Sequence, residues 1–442
     1  MKSTLLLLSL FVGFNSFAVM VDSSLSLSRG ADGDMVKISY MLDVPSAVVT
    51  IDLQTNAVPN AESGWVSLGV DAVENLVGDA NRRVYQKEGG CAAYWYPSKA
   101  IPGKIIESGC FRAEVVAWPA DCPPDWMVVD LVNKGDNRFY VTTNSLPGGV
   151  ADIRYRTTKL LMRKIPAAGV TWRMGAMSSS EIYYNAGADV THYVRLTEDY
   201  YAAVYETTCG QYKTVMGDYG DCRCKSYSRL DERAFDAGNY EVLRGMTTAG
   251  DYYWPENGHT VSVNSVIGKF RAACGIDDLD LPTDAQWEYA ARAGTGAVWP
   301  DGRSPTESFD YYLNTRAWCT RNVGDGEGNN GNAVSSIVGQ WKPNNWGLYD
   351  VIGNVCECCL DRYSEGDAYK ATFATGWETG AVTENPKGCA DTSVSDLILR
   401  GGSFLTAYST CRLSARSAGG RTYVYGGFRG FRLFCSVSAA VR

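Results

Sequence analysis

Histidine is scarce in this sequence. Among 442 residues, His192 and His259 are the two histidines, so counting excludes metal sites and catalytic schemes that need three imidazoles. Basic residues are not in excess either, because 41 Lys and Arg stand against 49 Asp and Glu, for a formal net charge of −8. That sign opposes binding to a phosphate backbone, and we expect no nucleic-acid partner.

Long apolar runs are also missing, and a membrane-spanning helix needs about 20 such residues. The most apolar segment, residues 5–14, follows a start that contains Lys2 and precedes Ser16-Phe17-Ala18. Small residues at positions −3 and −1 are typical of a cleavable signal. We therefore expect residues 1–18 to be a signal peptide and the chain to be exported to a periplasmic or extracellular location. A membrane anchor is the alternative, but the run is too short, and we expect no transmembrane segment.

Apolar residues alternate with polar ones in the first part of the chain. In one run, the residues on one strand face are Val36, Ile38, Tyr40 and Leu42. In a second run, they are Val49, Ile51 and Leu53. This period of two predicts β-strands, and turn residues separate the runs. We expect a small β-sandwich-like domain over residues 19–124, in which no cluster of residues suggests chemistry.

Residues 119–124, with three prolines, break regular structure and mark the expected domain boundary. A second possible boundary lies at residues 146–149. The rest of the chain predicts mostly loop with a few short helices. Capping boxes starting at Thr208 and Thr283 predict two of them, and a third is expected to begin near Ser262 or Asn264 and to end at Gly275.

Fourteen cysteines in an exported chain are most simply explained as residues that form disulfides. Three of them precede residue 125 and eleven follow it, so either a bridge joins the two parts or each part keeps a free thiol. Cys122 is the candidate for a joining bridge. The Cys222-Arg223-Cys224 and Cys356–Cys359 runs also suggest soft-metal loops, although standard zinc loops use wider spacings and histidine is scarce.

Four segments resemble one known family when they are taken together and in order. They are Leu281–Gly294 (LPTDAQWEYAARAG), Pro343–Val355 (PNNWGLYDVIGNV), Arg400–Phe404 (RGGSF) and Gly427–Arg432 (GFRGFR). The sequence is similar to the sulfatase-modifying factor, or formylglycine-generating enzyme, family, with weaker likeness at Thr191–Val194 and Tyr205–Thr208. The resemblance implies an α+β fold, with a coil-rich, C-type-lectin-like domain over residues 125–438.

The same resemblance implies structural calcium. In the family, the stretch matching Asp350–Glu357 binds the ion through the side chains at Asp350 and Glu357 and the carbonyls at Gly353 and Val355. Such a loop suits calcium, which takes six to eight oxygen ligands. A second family site would begin at Asn314, but its later ligands cannot be placed. The alternative is that Asp350 and Glu357 only cap turns.

Catalytic members of the family oxidise a substrate cysteine to formylglycine with dioxygen, using copper held by two thiolates. Here Cys411 stands at the second thiolate position and Thr406 at the first, and a hydroxyl is a poor ligand for Cu(I). Ser403, an active-site residue in the family, is kept, whereas a family tryptophan is replaced by Cys356. Cys356 could form a substitute pair with Cys411. A disulfide from Cys411 to Cys356, Cys358 or Cys359 is favoured over that pair.

These departures favour a non-catalytic, calcium-stabilised binding module with a peptide, protein or glycan ligand. Tyr252–Trp254 and Tyr423–Tyr425 could supply stacking contacts, or could belong to a core. The alternative is a divergent copper-dependent oxidase that converts a sulfatase cysteine to formylglycine. An iron-dependent branch of the superfamily, which uses three histidines, is excluded. His192 lies in an alternating strand and is expected to be structural.

Overall fold

The structure is a computed structural model that describes residues 26–29, 34–69, 72, 74–103, 106–179, 184–236, 243, 261–303, 334–373, 377–389, 396–406, 410–419 and 428–442. The chain divides into two compact units, Met1–Pro124 and Asp125–Arg442, called here the N-terminal and C-terminal units. Among the described helices, none is both long and apolar enough to cross a membrane.

The N-terminal unit consists mainly of antiparallel strands. They are β1 (Ser26–Arg29), β2 (Val36–Tyr40), β3 (Ser46–Thr55), β4 (Val66–Ser67), β5 (Leu76–Gly78), β6 (Arg82–Tyr85), β7 (Cys91–Trp95) and β8 (Phe111–Trp118), with a short helix α1 (Pro97–Ala100). One sheet has the order β1-β2-β7-β5, and the other has the order β4-β3-β6 with β8 also paired to β3. Both sheets contribute to one hydrophobic core.

That core confirms the strand faces predicted from the alternation. Ile38 and Tyr40 of β2 are buried, and so are Val49, Ile51 and Leu53 of β3. All five pack in the same cluster. Because side chains on a strand alternate between faces, the period of two was sufficient to identify which residues point inward.

The C-terminal unit mixes strands with short helices. Its strands are β9 (Trp126–Asp130), β10 (Asn137–Tyr140), β11 (Lys159–Ile165), β12 (Thr171–Met174), β13 (His192–Arg195), β14 (Tyr200–Ala203), β15 (Cys356–Arg362), β16 (Val382–Glu384), β17 (Leu397–Arg400), β18 (Ser417–Gly419), β19 (Arg429–Gly430) and β20 (Phe434–Ser436). Its helices are α2 (Cys209–Met216), α3 (Val266–Cys274), α4 (Asp284–Arg292), α5 (Gly366–Lys370) and α6 (Val437–Ala440). The described chain is therefore α+β and rich in strands.

Three sheets form the frame of the C-terminal unit, with the orders β10-β9-β11-β14-β20, β12-β13-β16 and β18-β17-β15-β19. Most of the pairings are antiparallel, but β13 pairs with β16, and β15 with β19, in parallel. Helix α4 packs against this frame, since Trp287, Ala290 and Ala291 belong to the main core of the unit.

The helix ends follow the capping chemistry of the sequence. Thr208 and Gln211 form the predicted capping box at the start of α2, and Gly217, with a φ of 94°, ends that helix. Thr283 and Gln286 form the predicted capping box at the start of α4. The expected start of α3 is corrected, because Ser265 is its cap. The Ser265 amide donates to the carbonyl of Ser262, so these residues form a turn before the helix.

The four segments that carry the family resemblance meet around α4. The side-chain amide of Asn344, from the second segment, donates to the carbonyls of Ala290 and Ala291 at 2.9 and 3.1 Å, which satisfies acceptors at the end of the helix. The indole of Trp287 donates to Glu357 at 2.7 Å. The third and fourth segments each bring a buried arginine to this region.

Arg400, from the third segment, is fully buried between carboxylates of α4. It forms ion pairs with Asp284 and Glu288, and Arg292 lies 2.7 Å from Glu288. Although burial opposes ionisation, Arg292 and Arg400 hold the pKa of Glu288 at about 2. Arg400 also donates to the carbonyls of Leu413 and Ala415. Each of the buried charges on Asp284, Glu288, Arg292 and Arg400 therefore has a partner of opposite sign.

His192 on β13 is buried, with 2% of its surface exposed. Its ring stacks on Phe373, meets Tyr369 edge-on and lies within hydrogen-bond distance of the Val190 carbonyl. Burial lowers the pKa of His192 to about 4; the Val190 carbonyl and Glu288 act in the opposite direction. The interpretation of His192 as a structural residue is therefore confirmed.

Replacing Glu288 with Gln should destabilise the protein by about 3–5 kcal/mol, because Arg292 and Arg400 would keep their buried charge and lose its partner. Denaturant unfolding measures the change. Glu384→Gln is the matched control, since the Arg195–Glu384 pair is exposed and should contribute about 0–1 kcal/mol. Equal, small effects of the two substitutions would contradict the role given to the network.

The low pKa of His192 predicts a pH dependence of stability. The unfolded chain binds a proton near pH 6.5 and the folded chain near pH 4, so stability falls as the pH drops through this window. Between pH 7 and pH 5 the loss from this residue should be about 2 kcal/mol. In His192→Phe, and in His192→Gln as a second variant, unfolding free energies should decrease less over that range. A slope identical to that of the unchanged protein would refute the assignment.

Candidate functional site

The segment after the Gly-Gly-Ser motif carries a network of hydroxyl groups. The Ser403 amide donates to Thr406 Oγ1 at 2.7 Å, and Thr410 Oγ1 lies 3.0 Å from the same oxygen. Ser403 Oγ accepts from the Leu405 amide at 3.2 Å. The hydroxyl that replaces the first thiolate of the family is thus held by neighbouring groups of this segment.

Cys411, at the second thiolate position, is fully buried in the core of the C-terminal unit. Trp299 donates to its carbonyl at 3.2 Å. A side chain at Gly402, whose φ is 69°, would come within 2.5 Å of Cys411 Sγ. Glycine is therefore required for the sulfur to pack against the backbone here. Cys411 therefore offers a buried core sulfur, and Thr406 offers a hydrogen-bonded hydroxyl.

Cys356 lies on β15 in different surroundings. Side chains alternate along that strand, so Cys356 and Cys358 share one face while Glu357 and Cys359 share the other. Cys359 packs in the same core as Cys411, and Cys356 Sγ lies 3.3 Å from the Phe428 carbonyl. Burial raises the pKa values of the Cys356, Cys358 and Cys359 thiols.

The described cysteines contain one disulfide, which joins Cys209 to Cys222. That bond involves neither Cys122 nor Cys411, so the structure does not form the two bridges that the sequence favoured. For Cys356 and Cys358 the physical reason is the strand alternation, which turns both away from the face shared with Cys359. Spacing along the chain does not reveal that direction.

The predicted calcium loop lies beside the second buried arginine. Glu357, 1% exposed, pairs with Arg432 at 2.7 Å and accepts from Trp287. Arg432 also donates to the carbonyls of Ala203, Val204 and Tyr349. Asp350, with a φ of 55°, accepts from the Gly339 amide at 2.6 Å. Glu357 thus already has protein partners, and calcium stays a prediction.

A third carboxylate, Glu206, joins this loop. It accepts from the Val355 amide at 3.1 Å and from the Asn354 side chain at 2.5 Å. Burial raises the pKa of Glu206 well above its ordinary value, and Asp350 and Glu357 add to the effect. Burial likewise raises the pKa of Asp350 to about 6. Burial therefore favours the neutral forms of Glu206 and Asp350 beside the Arg432–Glu357 pair.

Sequence reasoning did not assign Glu206 to the site. The sequence signal that includes Glu206 is the weaker family likeness at Tyr205–Thr208. Gly353 and Val355 are buried in the loop, and the Gly353 amide donates to the Gly401 carbonyl. Asn314, His259 and the aromatic runs at 252–254 and 423–425 lie outside the described residues.

Residues 163–437 match the family described as "Sulfatase-modifying factor enzyme 1-like domain". The chain is 32% identical over 150 residues to the formylglycine-generating enzyme of Mus musculus, and the match covers 33% of this chain and 36% of that protein. It is 33% identical over 99 residues to the inactive C-alpha-formylglycine-generating enzyme 2 of Bos taurus, and this match covers 22% of this chain and 31% of that protein. The chain thus spans about a third of the length of each of these relatives.

Among solved structures, Treponema denticola variable protein 1 is 22% identical with a TM-score of 0.44, and the match covers 63% of this chain and 96% of that one. The family match over residues 163–437 extends over more than half of the sequence. It contains all four motifs that meet around α4. This chain therefore belongs to the sulfatase-modifying factor enzyme 1-like domain family.

Proposed function

We propose that this chain is a non-catalytic binding protein of the family and that its Ser403–Cys411 segment recognises a peptide, protein or glycan ligand. The observation that carries the proposal is the pair of groups at the two thiolate positions. Thr406 offers a hydroxyl that Ser403 and Thr410 already engage, and Cys411 offers a fully buried sulfur. Soft Cu(I) prefers sulfur ligands, so this donor set does not fit the copper of the catalytic relatives.

The same segment offers contacts of the kind that binding needs. Thr406 and Thr410 are partly exposed and their hydroxyl oxygens lie 3.0 Å apart, and Leu405 is 40% exposed, whereas Ser403 is buried. Hydroxyls donate and accept hydrogen bonds, which suits the polar groups of glycans and peptides. A relative named as inactive, from Bos taurus, supports the idea that the family includes members without catalysis.

Our proposal extends to architecture and location. The N-terminal unit is taken as a β-sandwich because two antiparallel sheets share its core, and the C-terminal unit as a lectin-like domain because of its family. Residues 1–18 have the features of a signal peptide, so the binding protein would act outside the cytoplasm.

Calcium is part of the proposal as a stabilising ion. The donor set at the Asp350–Glu357 loop is entirely oxygen, which fits a hard cation. Since Arg432 already engages Glu357, Asp350 and the carbonyls of Gly353 and Val355 are the groups left to hold the ion. A positive ion beside Glu206 and Asp350 would stabilise their ionised forms, which burial otherwise disfavours.

A Cys-x-Pro-x-Arg peptide, incubated with the full chain, copper and dioxygen, should keep its thiol. Mass spectrometry of the peptide measures this, with Cys411→Ser as the matched variant. Conversion of the peptide by the unchanged protein but not by Cys411→Ser would establish the oxidase alternative.

The binding role is tested by probing arrayed glycans and peptides with the full chain. Thr406→Val should weaken capture about tenfold, the loss of roughly 1.4 kcal/mol, and Thr171→Val should not. Capture on neither array would contradict the binding role.

Removal of calcium should lower the thermal midpoint of the full chain. Melting curves with and without a chelator, at one pH, give the shift, and adding calcium back should reverse it. Asp350→Asn should reduce the response to the chelator, because it removes one charged ligand. An unchanged midpoint together with no calcium by elemental analysis would rule out the ion.

A further inference from the structure

Three cysteine sulfurs meet in the C-terminal unit, at the start of α2 and at the turn that follows this helix. Cys209 is the first residue of α2, and Cys222 and Cys224 lie at the short turn that follows it along the chain. Cys224 Sγ is 2.8 Å from Cys222 Sγ and 3.3 Å from Cys209 Sγ. All three side chains are buried, with exposures of 0 to 2%.

A disulfide accounts for only part of this group. The Cys209–Cys222 bond uses two of the sulfurs and leaves the Cys224 thiol packed against both. A thiophilic cation would use all three, since Zn²⁺ and Cu(I) are bound by groups of cysteine sulfurs. Ligand atoms of the three residues lie within 4.8 Å of one another, which permits a single ion to contact them all.

The backbone holds these residues in place from two sides. Thr208 caps α2 and pairs with Ala234, and the Cys209 amide donates to the Arg233 carbonyl at 2.9 Å. The Ala234 carbonyl lies 3.7 Å from Cys209 Sγ and accepts from Ser335 at 2.6 Å. These contacts fix the position of the cluster before any ion enters it.

The three thiols can lose their protons to a cation that contacts all three sulfurs, because metal binding displaces protons from cysteine ligands. Cys209 lies at a helix N-terminus, which favours a thiolate. A bound cation would supply the positive charge that three thiolates need.

We propose that the reduced chain binds one thiophilic cation, Zn²⁺ or Cu(I), through the sulfurs of Cys209, Cys222 and Cys224. Binding displaces thiol protons and transfers no electrons. Three sulfurs suffice for Cu(I), whereas Zn²⁺ requires a fourth ligand. Formation of the Cys209–Cys222 disulfide removes two of the ligands, so the bond and the ion exclude each other. This site is independent of the proposed binding function.

The test uses the full chain, reduced and desalted without oxygen, and then titrated separately with Zn²⁺ and with Cu(I). Elemental analysis after gel filtration should find one equivalent of at least one of the two ions, and the separate titrations identify which. Cys224→Ser should lower the affinity at least tenfold. Cys122→Ser, which changes a partly exposed cysteine of the N-terminal unit, is the matched control and should bind like the unchanged chain.

Cys224→Ser leaves the Cys209–Cys222 pair intact, so it should fold whether the group is a metal site or a disulfide; circular dichroism checks this. Retention of neither ion by the reduced chain would overturn the proposal. Equal affinity of Cys224→Ser and the unchanged chain would overturn it as well. Because the readout is bound metal, the outcome does not depend on the peptide and array experiments.

Discussion

The buried pairing of arginine with carboxylate is the interaction on which the C-terminal unit depends. Arg400 and Arg432 are each at most 1% exposed, and each meets carboxylate groups from a distant part of the chain. A charge moved out of water is very unfavourable unless it is paired and hydrogen-bonded. Trp287 connects the two pairs, since its ring lies 5.4 Å from the Arg400 guanidinium and its indole donates to Glu357.

This arrangement explains why a family resemblance can survive a change at the first thiolate position. The residues that identify the family, including Asn344, Arg400 and Arg432, are in hydrogen bonds and ion pairs of the scaffold. Thr406 belongs to none of these pairs. A hydroxyl in place of a sulfur at that position therefore leaves these scaffold contacts intact. Family membership here establishes a fold and leaves the activity to be decided at the site.

The sequence predicted those features that depend on neighbours along the chain. The caps at Thr208 and Thr283 and the strand faces of β2 and β3 were correct, because they follow from local hydrogen bonding and from a period of two. It did not predict contacts between distant segments. The engagement of Glu357 by Arg432 and the place of Glu206 in the same cluster both depend on tertiary structure. The grouping of Cys209 with Cys224 also depends on tertiary structure.

The separation of the charge partners along the chain also determines how the unit must assemble. Asp284 is 116 residues from Arg400, and Glu357 is 75 residues from Arg432. Closing such long loops costs entropy before any contact forms, which slows folding. Asp284 and Glu288 of α4 gain Arg400 only when that distant segment arrives, and without it these acidic side chains are better solvated in water than in a core. Burial of this helix is therefore coupled to the arrival of a segment more than 100 residues further along the chain.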